Sequence, residues 1–477
     1  MGSRAGEVRV SVPIKQRPLG EENGRHRRRG RRSVAAATRE GRDGARRAGG
    51  SAVKLWTRAG LLILGVTLSG CVGIAKGVTE ALLDDSNKQD TRACHIMGPP
   101  YQGLEALLER QEAKRAADDD PGTLKILMVH GIGRHLPGYS GRLLEHLMRA
   151  LDLDVVDETV KHIRLADPDV TSGPLGELRI LRFTNKARSR ELLFYELTWS
   201  EITEQEKQVI SFDDSGEWTF RRAKLNAWGK SFLNSHLSDP LIYLGNARLP
   251  IIASVRQSLC WMSSADWEGY AEEAHATCDF LDQGRIKLLE DDDYAIISHS
   301  LGSRIVMDML AYVTIATAGQ EAFKPYLDIY REKSIPIFML ANQLPLLELG
   351  REPAGITGEI SAYCKADGVK FAERTMGELP IFAFSDPNDL LSYGIPSDFV
   401  RNYLDSRLCP RVTNIILNVT QPISLLGLGE FANPAEAHGA YDHDERVIAI
   451  IAHGFGHDQA DALVDERCTW METTRDW

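Results

Sequence analysis

The stretch that most restricts how this chain folds lies between Tyr294 and Leu310. Tyr294-Ala295-Ile296-Ile297 is a short apolar run of the kind that forms a strand buried on both faces. It ends in Ser298-His299-Ser300-Leu301-Gly302, after which Ser303 to Leu310 carries apolar residues at helical spacing. A strand that turns into a helix this abruptly needs small side chains at the bend. Ser298 and Gly302 supply them, two before and two after Ser300. The bend pushes the middle side chain outward, and the adjacent helix N-terminus favours developing negative charge. Ser300 is thus the first candidate for chemistry, set against the plain alternative of a serine N-cap.

Other segments build a sheet around this bend. Thr123-Leu124-Lys125-Ile126-Leu127-Met128-Val129 reads as a buried strand that stops at His130-Gly131-Ile132-Gly133, with a helix over 140–151 beyond it. Glu177–Thr184 and Arg190–Trp199 alternate like two strands of a hairpin joined through Asn185–Ser189. Further strands are expected at Ile335–Ala341, Leu379–Phe384 and Val412–Val419, with helices near 303–314, 366–376 and 444–453. Strands alternating with helices predict an α/β fold with a mostly parallel sheet covered on both faces. Residues 200–285 read as a mainly helical insertion rich in Trp, Tyr and Phe, a cap or lid over the site.

These segments resemble the α/β-hydrolase superfamily, in its lipase and esterase-like branch, across about residues 123–457. The resemblance implies a serine hydrolase that cleaves carboxylic esters through an acyl-enzyme on Ser300, with the triad in the order Ser, Asp, His. The general base would be His438, in Ala437-His438-Gly439-Ala440-Tyr441, with His443, His453 and His457 as competitors. The acid would come from Ser385-Asp386-Pro387-Asn388-Asp389-Leu390, where Asp389 is favoured and Asp386 remains the alternate. The oxyanion hole would use the amides of Ile132 and Leu301, with His130 and Gly131 supporting the loop. Two positions depart from the family pattern: Ser298 replaces the first glycine of the elbow, and Asn342 stands where a glycine or serine is expected. A non-catalytic binding or assembly module on the same fold is the competing function.

The N-terminal part reads as an address. Residues 1–52 hold 14 Lys and Arg against 5 Asp and Glu, have no apolar period, and read as a disordered basic extension upstream of the true start. Within 53–71, Lys54 and Arg58 precede a short apolar run that ends in Leu68-Ser69-Gly70-Cys71, which resembles a bacterial lipoprotein signal with its lipobox. Cys71 would then carry the lipid and hold the protein at the cell envelope. The remaining chain divides into a tether and lead-in (72–122), a first part of the core (123–199), the insertion (200–285) and a second part of the core (286–477).

The net charge of −11 conceals a split, since from Cys71 onward 40 basic residues face 62 acidic ones. A body that acidic repels phosphate backbones, so nucleic acid is not an expected partner. The expected partners are a small-molecule or lipid ester substrate and, through the anchor, a membrane. Cys94, Cys260, Cys278, Cys364, Cys409 and Cys468 can oxidise after export, with their pairing left open. None falls in a CxxC or Cys/His cluster, and His453-Gly454-Phe455-Gly456-His457 lacks a clear third ligand, so neither metal nor cofactor is expected. Cys71→Ala should release the protein from membranes; persistence of the variant in the membrane fraction after a high-salt wash would refute the anchor.

Overall fold

The computed structural model describes residues 92–472, except 118–121, 157–158, 169, 171–172, 215, 217–221, 354, 425–429 and 459. The basic extension, the signal segment and Cys71 lie outside the described residues.

Eleven strands and a C-terminal one form a single mixed sheet. They are β1 (Cys94–Met97), β2 (Leu124–Val129), β3 (Asp154–Val155), β4 (Lys161–Leu165), β5 (Glu177–Thr184) and β6 (Glu191–Thr198), followed by five more. Those are β7 (Glu273–Ala276), β8 (Asp293–His299), β9 (Ile337–Leu340), β10 (Leu379–Ser385) and β11 (Pro410–Leu417), with Thr469–Met471 at one edge. The spatial order from that edge is β1, β11, β10, β9, β8, β2, β6, β5, β4, β7, and β3 pairs with β5. The six strands from β11 to β6 are parallel to one another. β5 runs antiparallel to β6 as the expected hairpin, and β1 runs antiparallel to β11.

The side chains of the central strands alternate between two apolar layers. Leu127 and Val129 of β2, Ile296 of β8 and Ile381 of β10 face one layer, while Ile126, Ile297 and Phe382 face the other. Helices Arg248–Met262 and Leu301–Thr317 supply the first layer; Gly141–Ala150 and Glu445–His453 supply the second. Burial on both faces explains why these strands are apolar throughout rather than alternating. The chain is therefore an α/β protein with a mostly parallel sheet between helices.

Two expectations need correction. No helix spans 366–376: the Asp367-Gly368 turn breaks the pattern, and only the 3-10 turn Phe371–Glu373 forms there. The segment 200–285 is mainly helical as expected, but part of it belongs to the core of the sheet. Arg248–Met262 packs under the sheet with Ile251 and Val255 fully buried, and β7 extends the sheet by pairing with β4. Its rings follow suit: Tyr243 is buried in the main core, whereas Trp228 is 64% exposed. Sequence pattern missed this because an apolar helix that covers a sheet reads the same as one that covers a site.

Three disulfides join Cys94 to Cys468, Cys260 to Cys278 and Cys364 to Cys409. The first ties β1 to the C-terminal edge of the sheet, across a sequence separation of 374 residues. Among the described residues no single helix is long and apolar enough to cross a membrane.

Candidate active site

Register brings the carboxyl ends of β2, β8, β9 and β10 to one edge of the sheet. Val129 pairs with Ser298, His299 with Leu340, and Ala383 with Met339. The loops beyond these ends converge, which is where parallel sheets place their ligand sites. Ser300 occupies the junction of β8 and helix Leu301–Thr317 with φ 55° and ψ −123°, a conformation that non-glycine residues rarely adopt. Its N–H donates to Leu340 O at 2.8 Å, and its carbonyl accepts from Ser303 Oγ at 2.5 Å. Gly302 is obligatory here, because a Cβ on it would stand 2.5 Å from Val129 O. Ser298 tolerates the position usually held by glycine: it is fully buried, and its hydroxyl donates to Phe338 O at 3.4 Å.

Ser300 Oγ lies 2.9 Å from His438 Nε2, and His438 Nδ1 lies 2.8 Å from Asp389 Oδ2. A carboxylate can only accept, so Nδ1 carries the proton and Nε2 is left to accept from the serine hydroxyl. His438 sits in the last turn of helix Pro434–Gly439, whose start is capped by the Asn433 side chain accepting from Ala435 N–H. Burial raises the Asp389 carboxyl, but the hydrogen bond and charge of His438, with Leu391 N–H and Ser392, outweigh it and hold the group below its usual range. The competing acid does other work. Asp386 accepts from Val419 N–H at 2.7 Å and from Asn388 N–H at 2.7 Å, pinning the loop to the end of β11. Among the other histidines, His443 pairs with Asp442, and His453 with Glu105.

His299 is the neighbour most able to compete for a proton, and burial pushes it down to about 3, assisted by the charge of His438. It stays neutral and donates from Nε2 to His438 O at 2.9 Å, steadying the turn that carries His438.

The loop His130–Gly138 lies across Ser300. A Cβ on Gly131 would meet Ser300 Cβ at 2.6 Å and Oγ at 3.1 Å, so only glycine permits this approach. His130 is stacked on Trp199 with ring centroids 4.6 Å apart. Its Nε2 accepts from Trp199 N–H at 3.1 Å, which assigns the proton to Nδ1, donating to Gly131 O at 2.9 Å. Burial, with help from His135, keeps this imidazole well below its usual range and hence uncharged.

Three residues complete the support, two of them (Asp239 and Glu196) missed by sequence reasoning and the third, Asn342, noted there only as a departure from the family pattern. Asp239, fully buried and paired with Lys207 at 2.8 Å, accepts from Gly133 N–H at 2.6 Å. Glu196 of β6 accepts from Gly138 N–H at 2.5 Å and from Ser140 N–H at 3.0 Å while pairing with Arg179. Asn342 joins β9 to the acid loop: its N–H donates to Phe384 O, its side chain donates to Tyr393 O, and its carbonyl accepts from Tyr393 N–H. An acidic residue inside the apolar run of β6 was the one available signal, since a buried carboxylate requires partners.

No family model, curated protein or solved structure matches this chain. Its chemistry must therefore be read from the site alone.

The site is closed. Ser300 has no exposed surface, whereas the His438 side chain is 16% exposed. Above the Gly131–Gly133 loop, His236 stands where a Cβ on Gly133 would reach it at 2.7 Å. From His236 a stack of rings leads outward through Phe232 to the exposed Trp228.

The direction of the Asp389 shift sets a pH dependence. A carboxyl whose folded value is depressed stabilises the fold above the unfolded value of about 4, and that contribution is lost as pH falls through the lower folded value. The stability gap between wild type and Asp389→Asn, measured by urea unfolding, should be largest near neutrality and shrink below about pH 4. A gap that widens on acidification would contradict the assigned hydrogen bonds.

Proposed function

We propose that this chain is a serine hydrolase of the α/β-hydrolase type, lipase or esterase-like, that cleaves carboxylic esters. The observation that carries this reading is the continuous chain Ser300–His438–Asp389, with contacts of 2.9 and 2.8 Å, beginning at a strained strand–helix junction. Any one contact is common in folded proteins. The strained nucleophile, a base with a fixed tautomer and an ionised orienter in one line serve acyl transfer.

In this mechanism Ser300 Oγ attacks the ester carbonyl carbon while His438 Nε2 takes the hydroxyl proton. The Leu301 N–H opens its helix and so has no carbonyl four residues earlier to bond. With the Ile132 N–H it would receive the oxyanion, each such donor contributing about 10²–10³ in rate. The tetrahedral intermediate collapses as the C–O bond breaks, and His438 returns its proton to the leaving alkoxide to form the alcohol. Water then attacks the acyl-enzyme, again losing its proton to His438, and the carboxylic acid leaves with Ser300 restored. Asp389 stays ionised and holds the imidazolium.

Lipid anchoring on Cys71 would place this chemistry at the cell envelope, and three disulfides suit an oxidising compartment. The apolar side chains of Trp228, Leu233 and Leu241, 64%, 50% and 74% exposed, suit an acyl-lipid substrate. Complete burial of Ser300 favours the second reading, a non-catalytic binding module. On the enzyme reading, the segment that carries His236 and Asp239 shifts to admit substrate.

Purified wild type should react with a fluorophosphonate probe, and Ser300→Ala should lose all labelling. A wild type that remains unlabelled while folded would favour the binding module.

A further inference from the structure

Toward the opposite ends of the same strands lies a cavity of about 130 Å³, largely apolar. Tyr294 and Ile296 of β8 form part of its wall, with Met309 and Val313 of helix Leu301–Thr317. At about 3.3 Å per residue along β8, these positions stand roughly 13–20 Å from Ser300, so the cavity is separate from the triad. An engineered protein cavity of roughly 150 Å³ holds one benzene molecule, so there is room here for a body of about that size. Phe280, Leu310, Phe323 and Leu327 around it are only half-buried, giving the cavity an apolar mouth.

The wall is not uniformly apolar. Arg285, Tyr326 and Thr314 are among its lining residues, and Arg285 Nε, Tyr326 Oη and Thr314 Oγ1 are buried without a hydrogen-bond partner among the described residues. Their residues are 4%, 5% and 1% exposed. The terminal nitrogens of Arg285 meet neutral oxygens: the backbone carbonyls of Asp279 and Phe280 at 3.3 and 3.0 Å, and the Ser263 hydroxyl. Its guanidinium also stands 5.9 Å from the Tyr326 ring, a partial compensation. None of these direct contacts is to a carboxylate, so the buried guanidinium hydrogen-bonds only to neutral oxygens. Arg can only donate, and both hydroxyls can donate as well, so the missing occupant accepts hydrogen bonds at one end and is apolar at the other.

We propose that this cavity binds a small monocarboxylate, with a body the size of one ring or a short chain inside it and its carboxylate on Arg285, Tyr326 and Thr314. A phosphate or dicarboxylate would strand charge against the apolar walls. The proposal is independent of the reaction assigned to Ser300.

Benzoate is the probe, titrated calorimetrically into the full-length protein, with benzyl alcohol as its uncharged counterpart. Wild type and Ser300→Ala should bind one benzoate with equal affinity, and benzyl alcohol should bind at least about 10-fold more weakly. Arg285→Met should weaken benzoate by a similar factor. Because Arg285 also holds two loop carbonyls, Val313→Trp provides a variant that fills the cavity while keeping the guanidinium, and it should abolish binding in a protein that still folds. The proposal is overturned if wild type shows no saturable binding up to about 10 mM, or if benzyl alcohol binds as tightly as benzoate. Loss of binding in Ser300→Ala would equally overturn it, by placing the acid at the triad.

Discussion

The backbone of Ser300 is the constraint on which the rest of the site depends. A non-glycine residue at positive φ costs on the order of 1–3 kcal/mol and persists only where its surroundings hold it. Here the hold is threefold: Leu340 O takes the serine N–H, Ser303 Oγ bonds the serine carbonyl, and Gly302 lets the helix press against Val129 O. Relaxing the turn to an ordinary strand or helix geometry would swing the hydroxyl away from His438. The sheet register, the glycine and the parallel neighbours are the conditions under which one hydroxyl points along one line.

The surrounding loops show the same economy of anchors. His130 bonded to Trp199 just beyond β6, Asp239 and Glu196 of β6 itself fasten three successive points of the 130–140 loop, while Asp386 and Asn342 fasten the 385–393 loop. Buried neutral imidazoles at His130 and His299 serve as hydrogen-bonding spacers that add no charge beside the base. The resulting rigidity has a counterpart in closure, since the same loop that lies across Ser300 removes it from solvent. On the proposed reading, the Ser300–His438–Asp389 line is held in place while access depends on the segment that carries His236 and Asp239.

Much of this was legible before any coordinates. The central strands announced themselves as apolar runs because both faces are buried, and the bend at Ser300 did so because only small residues fit around it. The sequence favoured Asp389 over Asp386 for the proposed acid without excluding the second, since the two share one loop and differ in which way each faces. The outer strands β1, β4 and β7 were missed, being short and of mixed polarity, with exposed or half-buried positions among them. Asp239 lies 106 residues from Gly133 in sequence, and no local pattern encodes such a contact. That helix Arg248–Met262 of the insertion belongs to the core was illegible for a related reason: burial against a sheet and burial over a site leave the same apolar signature on a helix.

The central claim is that the Ser300 oxygen becomes covalently acylated. Mixing the protein with a slowly deacylating aryl ester and following both phenol release and peptide mass tests it most directly. The account predicts a burst of one phenol per chain, with the acyl mass on the peptide that contains Ser300. Steady release without a burst and without an acylated peptide, or an acyl group on any other residue, would contradict it.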